Sequence, residues 1–157
     1  MSTELVQIGA KAPDFALPRD GGETVSLADF AGRPVVLFFY PKASTPGCTT
    51  EACDFTARLS DFEDAGAAVL GISKDSVKRQ ENFAAKQALK MPLLSDAEGA
   101  VCERYGVWAE KKMYGKSFMG IVRTTVLIGG DGTVLRVWSP VKVAGHAAEV
   151  LDAVRGL

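Results

Sequence analysis

Histidine and cysteine are scarce in this chain, with one of the first and three of the second among 157 residues. A lone imidazole cannot supply the usual histidine-rich metal site, and an odd, low cysteine count is far from the density of a disulfide scaffold. Thiol chemistry, where it occurs, is therefore expected to be catalytic rather than structural. An excess of charge is also missing. Eighteen Lys and Arg stand against nineteen Asp and Glu, a formal net charge of −1, so nothing steers the chain toward nucleic acid or an anionic membrane surface. No run of about 18 apolar residues would span a bilayer. Met1 to Leu5 carries neither the basic stretch nor the apolar core of a secretory signal, which makes the cytosol the expected compartment. Repeats, low-complexity tracts and proline-rich linkers are absent too. What remains, 47% hydrophobic and 24% charged, reads as a single domain over residues 1–157.

The clearest strand is Pro34 to Tyr40, an unbroken apolar run that predicts burial on both faces, as in the centre of a helix-covered sheet. After Pro46-Gly47 a helical pattern follows, with Ala52, Phe55, Leu59 and Phe62 at spacings of three, four and three and Gly66 as its stop. A second apolar run, Ala67 to Ile72, precedes a helix capped by Asp75 or Ser76 with Val77, Phe83, Ala84 and Ala88 inward. This strand–helix alternation predicts parallel pairing and right-handed crossovers. Thr124 to Ile128 and Thr133 to Trp138 flank Gly129-Gly130-Asp131-Gly132, a hairpin signal, so the α/β sheet should be mixed. A last helix is expected from about His146 to Arg155. Asp14 to Leu17 and Thr24 to Leu27 read as a small N-terminal hairpin extension.

The chemistry concentrates in Tyr40-Pro41-Lys42-Ala43-Ser44-Thr45-Pro46-Gly47-Cys48-Thr49-Thr50-Glu51-Ala52-Cys53. It joins a buried strand to a helix, which puts Cys48 at the first helical turn, where free backbone N–H groups and the macrodipole favour an anion. Such a position, near a cation, populates the nucleophilic thiolate. Thr45 can offer a hydroxyl to the same pocket and Pro41 can shield it. Their ordinary roles are turn capping and strand ending. Cys53 follows by five residues, unlike the Cys-x-x-Cys of dithiol sites. On an intact helix that separation is a rise of about 7.5 Å with the side chains turned to different sides, whereas a disulfide tolerates Cα separations only to about 7 Å. A bond between them would require the first turn to unwind.

These residues resemble the peroxiredoxins and, within them, the bacterioferritin comigratory protein or Q-type subgroup. Pro41-x-x-x-Thr45-x-x-Cys48 is similar to the signature around that family's peroxidatic cysteine, and Cys48 to Cys53 to the subgroup's spacing to a resolving cysteine. Ala12-Pro13-Asp14-Phe15, Leu94-Ser95-Asp96, Tyr105-Gly106-Val107-Trp108, Met113-Tyr114-Gly115, Gly120-Ile121-Val122-Arg123-Thr124-Thr125 and Gly145-His146-Ala147 extend the resemblance over nearly the whole chain. It implies a thioredoxin-like fold and reduction of hydrogen peroxide and organic hydroperoxides without metal, haem or flavin. By the same resemblance, Cys48 becomes a sulfenic acid, Cys53 condenses with it, and thioredoxin or a similar dithiol reduces the disulfide. Thr45 and Arg123 match the residues that orient peroxide, and a monomer is implied. One departure is Ala43, where the subgroup commonly carries aspartate.

Other candidates have simpler roles. Glu51 is a supporting candidate that could interact with the helix start or hold the folded turn. Cys102, in a short helix, is expected to be core, although it could serve as another resolving thiol. Trp108, Tyr114, Phe118 and Trp138 could line an apolar approach for alkyl hydroperoxides, or simply pack. His146 has no partner at ligand spacing and is expected at the surface or as a cap. A protein disulfide oxidoreductase and a copper chaperone are the competing readings. Cysteine spacing disfavours both, and Asp54 after Cys53 further disfavours the second.

Overall fold

The computed structural model describes residues 4–157. In chain order it forms β1 (Ala16–Pro18), β2 (Thr24–Ser26), a 3₁₀ turn (Leu27–Phe30), β3 (Val35–Phe39), α1 (Pro46–Ala57), α2 (Leu59–Asp64), β4 (Ala68–Ser73) and α3 (Val77–Gln87). There follow β5 (Leu93–Ser95), α4 (Ala100–Arg104), β6 (Trp108–Met113), β7 (Lys116–Ile121), β8 (Thr124–Ile128), β9 (Val134–Trp138) and α5 (His146–Arg155). Five strands make the central sheet in the order β5-β4-β3-β8-β9. β3 pairs parallel with β4 and antiparallel with β8, so the sheet is mixed as the hairpin signal implied. β1 and β2 form the expected small antiparallel extension.

β3 is buried along its whole length, and the alternation of its side chains divides the core. Val36 and Phe38, with Tyr40 just beyond the strand, face a cluster that includes Cys48, Ala52 and Phe55 of α1, Phe62 of α2, Phe83 of α3 and Val150 of α5. Val35, Leu37 and Phe39 face Ala12, Phe15, Val101, Cys102 and Ile121. Each fully buried Phe or Leu contributes about 1.5–3 kcal/mol relative to exposure. The core packs β3 on both faces, and its C-terminal end leads into the segment that carries Cys48 and Cys53.

Two local expectations are corrected. The single helix read through Phe62 is broken at Arg58 (φ −108°, ψ 7°). There the Arg58 N–H donates to the Phe55 carbonyl three residues back, a tightened turn that re-aims the helix and brings the Phe55 and Phe62 rings to 5.8 Å. His146 is neither a surface residue nor a cap. It is buried at the start of α5, its Nε2 lies 2.7 Å from Thr125 Oγ1, and Phe55 and Trp138 meet its ring edge-on. The left-handed Gly145 (φ 74°) precedes it and serves as the N-cap. Burial lowers the His146 pKa to about 4.

The β6–β7 hairpin has no counterpart among the expected elements. Its turn uses Tyr114 (φ 54°) and Gly115 (φ 77°), a left-handed pair for which Asn-Gly would have been the usual signal. Tyr114 and Phe118 are exposed on it. Trp108 lies under Lys74, and Trp138 is stacked by Arg136.

Candidate active site

After β3, Tyr40 is still buried and Pro41 ends the pairing. The chain then turns through Lys42, Ala43 and Ser44 to Thr45, which is extended (φ −84°, ψ 157°) and immediately precedes α1, with Pro46 at the first helical position. The Thr45 hydroxyl donates to the Lys42 carbonyl at 2.8 Å, closing the loop rather than capping the helix through its side chain. Cys48 is thus the third residue of α1 and only 1% exposed.

Arg123 lies between β7 and β8, beside the end of β3, because β8 is the antiparallel neighbour of β3. Its Nη2 donates to Cys48 Sγ at 3.4 Å, and its Nη1 donates to Glu51 Oε1 at 2.8 Å. One guanidinium therefore bridges the thiol and a carboxylate separated by one helical turn. Burial works against the Arg123 charge, but the charges of Cys48 and Glu51 outweigh it and hold its proton more firmly than usual. A Cβ at Gly47 would stand 3.1 Å from Nη2, so any larger residue there would crowd the guanidinium.

Glu51 falls beyond the first turn of α1, too far along to serve the helix start, and is 1% exposed. Its Oε2 has no hydrogen-bond partner among the described residues. Burial pushes its carboxyl up to about 7, more than the neighbouring Arg123 draws it down. Cys53 lies on the same unbroken α1, partly buried, with Sγ 4.0 Å from Gln87 Oε1 of α3. All three cysteines are free thiols. Cys102 is fully buried in α4, and burial, followed by the neighbouring Asp96, pushes its thiol well above the ordinary range.

The reading of the sequence missed one residue at this site. Ser76 caps α3, accepting from the Arg79 N–H at 3.2 Å. Asp75, the other capping candidate, instead turns inward and accepts from the Ala43 N–H of the active-site loop at 2.7 Å. The two positions lie 32 residues apart, so only the β3–β4 pairing brings them together.

The AhpC/TSA family model matches residues 8–137. The chain is 52% identical over 146 residues to the putative peroxiredoxin bcp of Coxiella burnetii, covering 93% of this chain and 97% of that one. It is 47% identical over 155 residues to peroxiredoxin Bcp of Xanthomonas campestris, covering 99% and 97%. Among solved structures, the Xanthomonas campestris bacterioferritin comigratory protein, studied for its alkyl peroxide reduction activity, superposes with a TM-score of 0.89 at 46% identity over 98% of both chains. A Xylella fastidiosa PrxQ variant gives 0.92 at 39% identity over 96% of both. With most of its length matched by the family model and full-length relatives of the Bcp type on either side of half identity, the chain belongs to the AhpC/TSA family and is a peroxiredoxin, a thiol-dependent peroxidase of thioredoxin-like fold.

Proposed function

We propose that Cys48 is the peroxidatic nucleophile and Cys53 the thiol that resolves its sulfenic acid. The observation that carries this reading is the Arg123 Nη2 contact with Cys48 Sγ at 3.4 Å, at the start of a helix. The guanidinium and the helix dipole both favour negative charge on that sulfur. The Cys48 thiolate attacks one peroxide oxygen and the O–O bond breaks. The leaving alkoxide or hydroxide takes a proton, and the sulfur, oxidised by two electrons, keeps the other oxygen as S–OH. Arg123 offers fixed donors to the developing charge, and Thr45, held by Lys42, orients the peroxide through its hydroxyl oxygen. Pro41 shields the sulfur from water, and Glu51 orients Arg123.

Cys53 then attacks the Cys48 sulfur, the S–O bond breaks with release of water, and a disulfide forms once the first turn of α1 unwinds. Thioredoxin or a similar dithiol supplies two electrons to open it by exchange. The enzyme works as a monomer in the cytosol. Peroxide titration of the reduced protein, followed by disulfide mapping, tests both thiol assignments. One equivalent should give a Cys48–Cys53 bond, and a Cys48–Cys102 bond would reassign the resolving thiol. Cys53→Ser should complete a first turnover at the wild-type rate and lose recycling through the intramolecular disulfide.

A further inference from the structure

A buried polar cluster that the chemistry above does not use adjoins the active-site loop. Tyr40, Ser73 and Gln80 are 0% exposed and Asp75 is 8% exposed. The Tyr40 hydroxyl bonds Gln80 Oε1 at 2.5 Å, and Gln80 Nε2 donates to Ser73 Oγ at 3.0 Å and to the Leu94 carbonyl at 2.8 Å. Ser73 Oγ donates to Asp75 Oδ2 at 2.6 Å, and that same oxygen accepts from the Ala43 N–H. The chain of bonds therefore leaves the loop at Tyr40, passes through β4 and α3, and returns to the loop at Ala43. Pro41 has no N–H to contribute. Ser44, which follows Ala43, stands at φ 67°, a left-handed conformation that is strained for an L-residue with a side chain.

We infer that Asp75 is a positioning residue, a clamp that holds the Cys48 loop closed through Ala43 and sets how readily the start of α1 unwinds. The inference rests on the roles proposed above for Cys48 and Cys53. Ala43 is buried, so without the carboxylate its N–H is left unpaired and the folded loop is penalised, while an opened loop regains water. Relief of the Ser44 strain favours opening as well. The two chemical steps make opposite demands. Peroxide attack needs Cys48 seated against Arg123, whereas resolution needs α1 frayed, because the intact helix holds the thiols about 7.5 Å apart along its axis. Weakening the clamp should therefore slow the first step and quicken the second. A sulfenic acid that waits in the closed loop meets a second peroxide, which transfers an oxygen to give sulfinic acid and an alcohol or water. The clamp thus also governs how easily the enzyme over-oxidises. A residue serving only to stabilise the fold would not move the two steps in opposite directions.

The test is stopped-flow peroxide attack on the reduced protein, combined with quenched-flow mass spectrometry of the sulfenic, disulfide and sulfinic forms. Asp75→Ala should slow attack about tenfold, quicken disulfide formation roughly threefold and lower the yield of sulfinic acid per turnover. Asp75→Asn, whose side-chain carbonyl can still accept from Ala43, should return both rates to within about twofold of wild type. Ser73→Ala leaves the Ala43 bond to Asp75 in place but removes the hydroxyl that donates to the carboxylate and accepts from Gln80 and the Asp75 N–H, and should shift both steps in the same senses by roughly threefold or less. This variant decides the matter if Asp75→Ala does not fold. The clamp is overturned if the two steps change in the same direction, or if neither changes, while wild type still forms the Cys48–Cys53 bond. A wild-type protein that forms no such bond overturns the underlying reading and the clamp together.

Discussion

Cys48 and Cys102 occupy the same kind of place. Each is the third residue of a helix, α1 or α4, and each is essentially inaccessible, at 1% and 0% exposure. They differ in the charge that faces them. Arg123 Nη2 lies 3.4 Å from the Cys48 sulfur, whereas the helix start at Cys102 is already occupied by Asp96, whose Oδ2 accepts from the Cys102 N–H at 2.8 Å. Burial and then the Asp96 carboxylate push the Cys102 thiol well above its ordinary range. Neither helix position nor burial therefore separates these two cysteines. The sign of the nearest fixed charge does, because in a site of low polarity a single neighbour outweighs the partial charge of a helix end.

The comparison breaks outright if the two thiols behave alike. Cys48→Ser should abolish peroxide reduction, with a loss of at least about 10³-fold in kcat/KM. Cys102→Ser should leave kcat/KM within about twofold of wild type, measured by peroxide consumption coupled to a dithiol reductant. A smaller but still large effect is expected where the two sites differ most. Arg123→Ala should slow single-turnover attack by roughly 10²-fold. Arg123→Lys should recover only part of the rate, since an ammonium cannot bridge Cys48 and Glu51 in the fork geometry of a guanidinium. An unchanged rate of attack in Arg123→Ala would mean that the guanidinium is not what distinguishes the sites.

The smallest effect sharpens the comparison through stability. Glu51 has a folded pKa of about 7, raised from 4.5 by burial, so the folded state binds its proton more tightly than the unfolded chain does. Its contribution to stability is then fullest below about pH 4.5 and is lost as pH rises toward 7, a swing of order 3 kcal/mol at most. Glu51→Gln should flatten urea-derived stability across that window. His146 works in the opposite sense. Its pKa is lowered from 6.5 to about 4, so its contribution is complete above pH 6.5 and is lost as pH falls through about 4. Glu51→Gln should therefore leave a stability curve that falls on the acid side alone.

Much of this arrangement was legible along the chain. β3, β4, β8, β9 and α5 announce themselves through apolar runs, a glycine-rich turn and helical spacing, because each is set by which face of a short segment must leave water. The segment from Pro41 to Cys53 was legible for the same reason, since strand, turn and helix start are local. The β6–β7 turn was not, because Tyr114 adopts a conformation that its residue type does not advertise. Nor was the break at Arg58, where the packing of Phe55 against Phe62 overrides a continuous helical pattern. His146 was misplaced because one histidine carries no periodic signal and its partners, Thr125, Phe55 and Trp138, come from three other elements.

The sequence by itself determined that a cysteine stands at the head of a helix after a buried strand, and that a second cysteine lies too far along that helix to reach it without unwinding. Both follow from fixed backbone geometry over fewer than 15 residues. Only the tertiary structure decided which charges face each sulfur. Arg123 reaches Cys48 across 75 positions, and Asp75 reaches Ala43 across 32. Those distances close through the pairing of β3 with β8 and β4. Electrostatic partners act through space over a few ångströms, so their identity belongs to the fold and not to any local stretch of chain.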